Sequence, residues 1–174
     1  MKYGLIGEKL GHSFSKTIHE KIADYTYEIK EISGENLDSF MRAKDFCSIN
    51  VTIPYKETVM PYLDYIDPFA EKIGAVNTVV NRDGKLYGYN TDFLGMKLMI
   101  ERNGFSFIGK KILILGSGGT AKTSKAVAEH LGAREIITVS RSGQVNYENV
   151  VALHSDADYI INTTPCGMYP NNDT

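Results

Sequence analysis

The sequence predicts an α/β fold built in two successive parts, and three features carry that prediction. Short alternating segments, among them TYEIKEI (26–32) and SINVTI (48–53), are separated by helical patterns. A nearly continuous apolar run, KKILILG (110–116), has the composition of a strand buried on both faces. That run leads through a glycine-rich loop and a helical stretch to another strand, EIITVSR (135–141), and a strand–helix–strand connection implies a parallel sheet.

The elements follow in order. KYGLIG (2–7) reads as a first strand. From Ser15 the spacing of Ile18, Ile22 and Ala23 predicts a helix ending near Tyr25, with Ser13 or Ser15 as its N-cap. TYEIKEI is the second strand, and NLDSFMRAKDF then places Leu37, Phe40 and Met41 on one helical face, with Asn36 as cap. SINVTI is the third strand. Across its end, NVTIPYK (50–56) alternates: Val51, Ile53 and Tyr55 share the parity that suits a core, and Asn50, Thr52, Pro54 and Lys56 share the other. YKETVMPYLDYI predicts a helix interrupted by Pro61, and PFAEKIGA a short helix with Pro68 in its first turn. AVNTVVN and LYGYN flank Arg82-Asp83-Gly84-Lys85, and Asp-Gly between such runs signals a hairpin. DFLGMKLMIERNG, ending at Gly104, reads as a connecting helix. GSGGTAKTSKAVAEHLG is loop into helix, stopping at Gly132, and DYIINTT (158–164) is the last strand. The expected division is residues 1–95 and residues 96–174. There is no internal repeat and no low-complexity tract.

Composition narrows the class. Hydrophobic content of 43% and charged content of 23% over 174 residues describe a globular protein with a real core. A net charge of −2 offers no electrostatic case for nucleic acid or an anionic membrane. Cys47 and Cys166 have no spacing for zinc or a disulfide framework, so no metal is expected and a reducing, cytoplasmic compartment is the simplest reading. The N-terminus turns polar too soon for a signal peptide, and no stretch nears a membrane span. The chain stops in NTTPCGMYPNNDT, a loop composition, which leads us to expect an incomplete fold there.

Two groups of residues carry chemistry. In ILILGSGGTAKT, the window Gly116-Ser117-Gly118-Gly119-Thr120-Ala121 fits G-x-G-x-x-A, the dinucleotide fingerprint. Its logic is a tight turn, no side chain against a pyrophosphate, and a helix N-terminus that favours anions. The second part thus reads as an incomplete Rossmann-like domain. After the next strand, Thr138-Val139-Ser140-Arg141-Ser142 contains no acid to hold a ribose hydroxyl, and Arg141 can pair with a 2′-phosphate, so NADP is expected over NAD.

The second group lies in the first part: Gly11-His12-Ser13-Phe14-Ser15, the NVTIPYK row, Gly74-Ala75-Val76-Asn77-Thr78, and Asn90-Thr91-Asp92. Taken singly, Ser13 and Ser15 could simply cap a helix, Asn77 could make a turn, and Asp92 could cap the helix after it. Asn50 is open between loop support and ligand contact. Taken together, the clusters describe a site for a polyhydroxylated anion. A hydride donor next to a Lys–Asp pair points to ketone/alcohol interconversion, because charge left on oxygen must be protonated.

These residues resemble the shikimate dehydrogenase family. The matching motifs are His12-Ser13-Phe14-Ser15, Asn50 through Lys56, Gly74 through Thr78, Asn90-Thr91-Asp92, Gly116 through Ala121, and Asn162-Thr163-Thr164-Pro165-Cys166-Gly167-Met168, in order over essentially the whole chain. The resemblance implies an N-terminal α/β substrate domain followed by an incomplete NADP-binding domain. It implies NADPH-dependent, reversible reduction of 3-dehydroshikimate to shikimate, a step toward chorismate and the aromatic amino acids, by a monomer or homodimer. Ser13 and Ser15 would hold the substrate carboxylate. Thr52, Asn77 and Asp92 would meet the ring hydroxyls, and Lys56 and Asp92 would form the catalytic pair. The cofactor would lie along Gly116, Ser117, Gly118, Gly119, Thr120 and Ala121, its phosphate near Ser140 and Arg141, with Thr163, Pro165 and Met168 on the ribose or nicotinamide side. Two departures stand out. Ser140-Arg141-Ser142-Gly143-Gln144 lacks the second basic residue many members carry, which leaves open an NAD-using quinate/shikimate dehydrogenase. Members are also longer, with further strands, a substrate-contacting glutamine and C-terminal helices. The chain is therefore expected to be an N-terminal fragment with weak or no turnover, and a nonenzymatic ligand-binding module is the alternative from another class. A methylene-tetrahydrofolate dehydrogenase shares the architecture but not the serine pair or the N-T-D segment.

Overall fold

A computed structural model describes residues 1–11 and 13–167. Two compact units divide the chain, Met1–Thr91 and Asp92–Thr174.

The first unit runs β1 (Tyr3–Gly7), α1 (Ser15–Ile22), β2 (Glu28–Glu31), α2 (Gly34–Ala43), β3 (Ser48–Val51), a 3-10 turn (Met60–Tyr62), β4 (Tyr65–Ile66), α3 (Pro68–Ile73), β5 (Thr78–Arg82) and β6 (Lys85–Tyr89). Its six strands lie in the order β2-β1-β3-β5-β6-β4. β1 is parallel to β2 and β3, β5 is antiparallel to β3 and β6, and β4 is parallel to β6. Alternating strand residues and one stripe of α2 meet in a core that includes Ile6, Leu37, Met41, Ile49, Val51 and Val79. Local chemistry sets the ends of the elements. Asp67 caps α3, accepting the Phe69 N–H at 3.0 Å, and Pro68 occupies the first turn. Asp83 (φ 52°) and Gly84 (φ 80°) both take the left-handed conformation that a two-residue hairpin needs.

The structure departs from the sequence reading at four places in this unit. α1 ends at Ile22, and Ile18 and Ile22 are 52% and 76% exposed, so their spacing marks a helix without marking a core face. Ser33, not Asn36, stands at the N-cap of α2; the Asn36 side chain donates instead to Ser33 Oγ at 2.9 Å. β3 ends at Val51, so the alternation no longer governs Ile53, which is 77% exposed, and the core parity resumes only at buried Tyr55. The helix expected around Pro61 is replaced by the 3-10 turn and β4. Asp64 pulls this segment onto β6, its N–H donating to Leu86 O and its carboxylate accepting the Leu86 N–H, at 2.9 and 2.8 Å.

The second unit takes α4 (Thr91–Arg102) from its second residue onward, then β7 (Lys111–Leu115), α5 (Gly119–His130), β8 (Glu135–Val139), α6 (Val150–His154) and β9 (Tyr159–Asn162). The strands are all parallel, in the order β8-β7-β9. The central place of β7 explains its unbroken apolar run: Ile112, Leu113 and Ile114 are buried. α6 lies outside the sequence reading; it has five residues and exposes Val151 and Leu153, so it leaves no amphipathic period to read. At the amino end of the sheet, Asp158 accepts the Lys111 N–H and the Lys110 amine, each at 2.8 Å, while the buried Lys111 amine meets Asp156 at 2.7 Å. Among the described residues, no helix is long and apolar enough to cross a membrane and no three His, Cys, Asp or Glu side chains group so as to hold a metal ion.

Candidate active site

In the first unit, topology gathers the predicted clusters at one end of the sheet. β1 and β3 are parallel, so the loops that leave them, bearing Ser13 and Ser15 and then Thr52 and Lys56, emerge at the same end. β5 is antiparallel to β3, which brings its start, Asn77-Thr78, to that end; β6 is antiparallel to β5, which returns Asn90-Thr91 there. Asp92, next along the chain, begins the second unit. His12 lies outside the described residues.

The backbone stitches these loops together. Thr52 N–H donates to Ile6 O at 3.0 Å, Val51 N–H to Asn77 O at 2.8 Å, Val76 N–H to Lys56 O at 2.8 Å, and Asn77 N–H to Tyr89 O at 3.0 Å. Thr52 and Lys56 are half-buried on this frame, as are Ser13 and Ser15. Ser13 Oγ accepts the Ser15 N–H at 3.2 Å, so the hydroxyl holds the entry to α1 without standing at its N-cap, which is Phe14. Tyr55 is buried below the lysine loop, its hydroxyl donating to Ile32 O at 2.6 Å, and burial raises its phenol pKa.

Asn77 is the best-defined side chain of the site. It is only 7% exposed, and its Oδ1 accepts three hydrogen bonds, from Thr91 N–H (2.9 Å), Thr91 Oγ1 (3.1 Å) and Thr78 Oγ1 (3.1 Å). A backbone N–H can only donate, so this atom must be the amide oxygen. The Asn77 nitrogen donates to no described residue. The sequence left Asn50 open, and the structure makes it support. Asn50 Oδ1 accepts from Tyr27 Oη at 2.6 Å, and its Nδ2 donates to Thr78 Oγ1 at 3.1 Å and Asn77 O at 3.4 Å. Tyr27, Thr78 and Thr91 had no sequence signal of this role, because the pairings of Tyr27 and Thr78 with Asn50 and of Thr91 with Asn77 join separate strands or loops.

In the second unit the three strands end together, Leu115 standing in register with Val139 and with Asn162. The chain leaves β7 for β8 on one side and then crosses to β9 on the other, so the carboxyl end of β7 is a topological switch point, where open α/β sheets bind ligands. The glycine loop sits there. Gly116 has φ 109°, and a Cβ on it would stand 2.6 Å from Thr163 Oγ1, so the protein itself requires glycine. Gly118 and Gly119 differ. Gly118 has an ordinary φ of −79°, Gly119 opens α5, and a Cβ on either would meet nothing within 4 Å. Glycine at these two positions answers no internal need, as expected where an outside group must approach the backbone. Gly118 caps α5 without a side-chain hydrogen bond, and the first helical N–H groups, at Gly119, Thr120 and Ala121, have no acceptor within the helix. This arrangement fits a bound pyrophosphate.

The flanking residues are placed as follows. Thr163 N–H and Oγ1 both donate to Leu115 O, at 2.9 and 2.6 Å, which binds the end of β9 to the end of β7. Pro165 is exposed, in a turn begun by Asn162, whose Oδ1 accepts the Thr164 N–H at 2.9 Å. Ser140 follows β8 and turns back, its N–H donating to Val145 O at 3.2 Å, and Arg141 is exposed beside it. Ser117 is exposed next to Gly116. Met168 lies outside the described residues.

A parallel sheet with a bare glycine loop at its switch point, joined in one chain to a polar small-molecule site, defines a nucleotide-dependent α/β enzyme class. The comparisons specify it. Residues 5–79 match the family model described as the shikimate dehydrogenase substrate binding domain. The chain is 40% identical over 190 residues to the Shikimate dehydrogenase (NADP(+)) of Clostridium perfringens strain SM101, covering 97% of this chain and 70% of that protein. Shikimate dehydrogenase 1 from Peptoclostridium difficile superposes with TM-score 0.87 at 38% identity, covering 98% of this chain and 70% of that one. The Thermus thermophilus enzyme in complex with NADP(H) and shikimate superposes with TM-score 0.83 at 27% identity, covering 96% and 69%. The chain belongs to the shikimate dehydrogenase family.

Proposed function

We propose that the first unit is the substrate domain and the second the NADP domain of a shikimate dehydrogenase, which reversibly reduces 3-dehydroshikimate to shikimate on the route to chorismate and aromatic amino acids. The observation that carries this reading is the Asn77 amide, its oxygen consumed by Thr91 and Thr78 and its nitrogen left to donate, at the sheet end where Ser13, Ser15, Thr52 and Lys56 also emerge. An outward donor among hydroxyls suits a ring bearing several oxygens, and family membership gives that ring its identity.

In this reading Ser13 and Ser15 hold the carboxylate, while Thr52, Asn77 and Asp92 hold the ring oxygens. NADPH, when bound, supplies hydride to the carbonyl carbon. Lys56 gives a proton to the oxygen in reduction and takes it from the hydroxyl in oxidation, with Asp92 as its partner, so one base serves both directions. The cofactor phosphates fall to Gly116, Ser117, Gly118, Gly119, Thr120 and Ala121 at the amino end of α5, and the 2′-phosphate to Ser140 and Arg141. Thr163, Pro165 and Met168 serve the ribose and nicotinamide side. The exposed free thiols of Cys47 and Cys166 are compatible with a reducing, cytoplasmic compartment.

The test is calorimetric titration of shikimate and of NADP⁺ into the purified chain, with NADPH formation followed by absorbance. Saturable binding of both is the expected result. Absence of shikimate binding, or equal binding of unrelated hydroxy acids, overturns the reading.

A further inference from the structure

The hydrogen bonds behind Asn77 form a relay with one direction, and that direction begins at a tyrosine the proposed mechanism does not use. The Thr91 N–H fixes the Asn77 oxygen, as above. At the other end, Asn77 O is a backbone carbonyl and can only accept, so the Asn50 atom facing it is the nitrogen. Asn50 Oδ1 therefore faces Tyr27, and the Tyr27 hydroxyl must be the donor. Thr78 Oγ1 accepts from Asn50, and because Asn77 Oδ1 can only accept, the Thr78 hydroxyl donates its own proton there. Two backbone groups, the Thr91 N–H and the Asn77 carbonyl, fix the direction of the whole set. Burial holds the Tyr27 phenol well above the ordinary tyrosine range, so it keeps the proton it donates.

Tyr27 also grips the other wall. Its N–H donates to Glu20 Oε1 at 3.1 Å and its carbonyl accepts from Lys16 Nζ at 3.0 Å, so both backbone groups are held by α1, the helix that opens at Ser15. Its ring stacks on His19 of the same helix, with centroids 4.0 Å apart and planes 13° from parallel. The residue is 2% exposed, so it acts on the site only through these neighbours.

We propose that Tyr27 is a positioning residue for substrate: its ring and backbone seat the helix that carries Ser15, and its hydroxyl braces the Asn50–Thr78–Asn77 relay that steadies the Asn77 amide facing the ligand. This rests on the substrate reading above. Without the hydroxyl, Asn50 Oδ1 loses its donor and the side chain is held only through its nitrogen, by Thr78 Oγ1 and the Asn77 carbonyl. A looser Asn50 loosens the Thr78 hydroxyl, one of the three anchors of Asn77 Oδ1.

Tyr27→Phe keeps the ring and removes the donor. Shikimate binding is expected to weaken about fivefold, the worth of one ordinary net hydrogen bond. The Asn77 side-chain amide resonances, read by ¹⁵N NMR without ligand, are expected to shift, while the Ile6 and Ile49 amides keep their exchange protection. In an Asn50→Ala background the same change is expected to add nothing further, since Tyr27 acts through Asn50. Unchanged affinity and unchanged Asn77 resonances would overturn the relay; so would losses that add in the double variant, or a general loss of protection in β1 and β3. Should the parent chain bind no shikimate, the substrate reading fails, and the ligand-free Asn77 resonances still decide the relay.

Discussion

At the functional end of the first unit, side chains hold one another: Tyr27, Asn50, Thr78, Asn77 and Thr91 form a continuous set of hydrogen bonds, and the Asn77 amide nitrogen donates to none of the described residues. At the corresponding end of the second unit the prominent feature is bare backbone, two glycines whose missing side chains would touch nothing. One site is made by what is present and oriented, the other by what is left out. The difference suits the two ligands proposed above. A ring of chemically similar hydroxyls is told apart by donors and acceptors fixed in direction, whereas a pyrophosphate needs close backbone N–H groups and room to reach them.

The largest effect should come from removing a side chain in the first unit. In a chain of the full length of its relatives, Lys56→Ala is expected to lower turnover by about 10²–10⁴-fold, the range of general acid–base catalysis, while the exchange protection of Ile49 and Val79 is unchanged. Steady-state rates of shikimate oxidation with NADP⁺ check it; unaltered turnover would remove Lys56 from the chemistry.

In the second unit the sharp experiment adds a side chain. Gly118→Val should weaken NADP⁺ binding by roughly tenfold or more, the worth of one or two phosphate hydrogen bonds, and cost no more than about 1 kcal/mol of stability, the loss of a glycine N-cap. Gly116→Ala should behave oppositely, destabilising the unit by about 1–3 kcal/mol through its positive φ and the approach to Thr163. Calorimetry and chemical denaturation of the two variants separate the cases. If both lost stability alike, the contrast between an internal and an external reason for glycine would collapse.

The smallest effect concerns pH. The Lys110 amine and the Lys111 N–H lower the Asp158 carboxyl below its ordinary value of 3.8. A carboxylate with a depressed folded pKa contributes stability in full above its unfolded value and loses it as pH falls through the folded one. Lys110 and Lys111 are raised above 10.5, chiefly by hydrogen bonds to Asp158 and Asp156 respectively, so their contribution is lost only as pH rises through those higher values. Asp158→Asn should therefore flatten the acid limb of hydrogen-exchange protection at Leu113 and Ile114 and leave the first unit's amides unmoved. An acid limb identical to the parent's would sever Asp158 from the stability of β7.

The legible parts of the fold share a trait: each is written over a few adjacent residues. Asp83-Gly84 announced its hairpin, Pro68 its helix, and the apolar run of β7 its central place, because the deciding physics is backbone conformation or burial on both faces. The reading failed where a neighbour distant in sequence decided. Asp64 accepts the Leu86 N–H and so draws its segment out of the expected helix. Ile53 follows the parity of β3, but the strand stops two residues earlier and the side chain faces out.

The sequence by itself determined the chemistry on offer: a glycine loop between a buried strand and a helix, and serines, threonine, lysine, asparagine and aspartate in an ordered series. Residue type and local spacing suffice for that. Only the tertiary structure decided which of these groups remain able to act on a ligand. Asn50 and Asn77 have the same side chain, yet the first is spent on Tyr27, Thr78 and a carbonyl while the second keeps its amide nitrogen. The reason is physical: a hydrogen-bonding group is used up by whatever partner reaches it, and partners are assigned by strand pairing, as Tyr27 and Asn50 illustrate across 23 residues of chain.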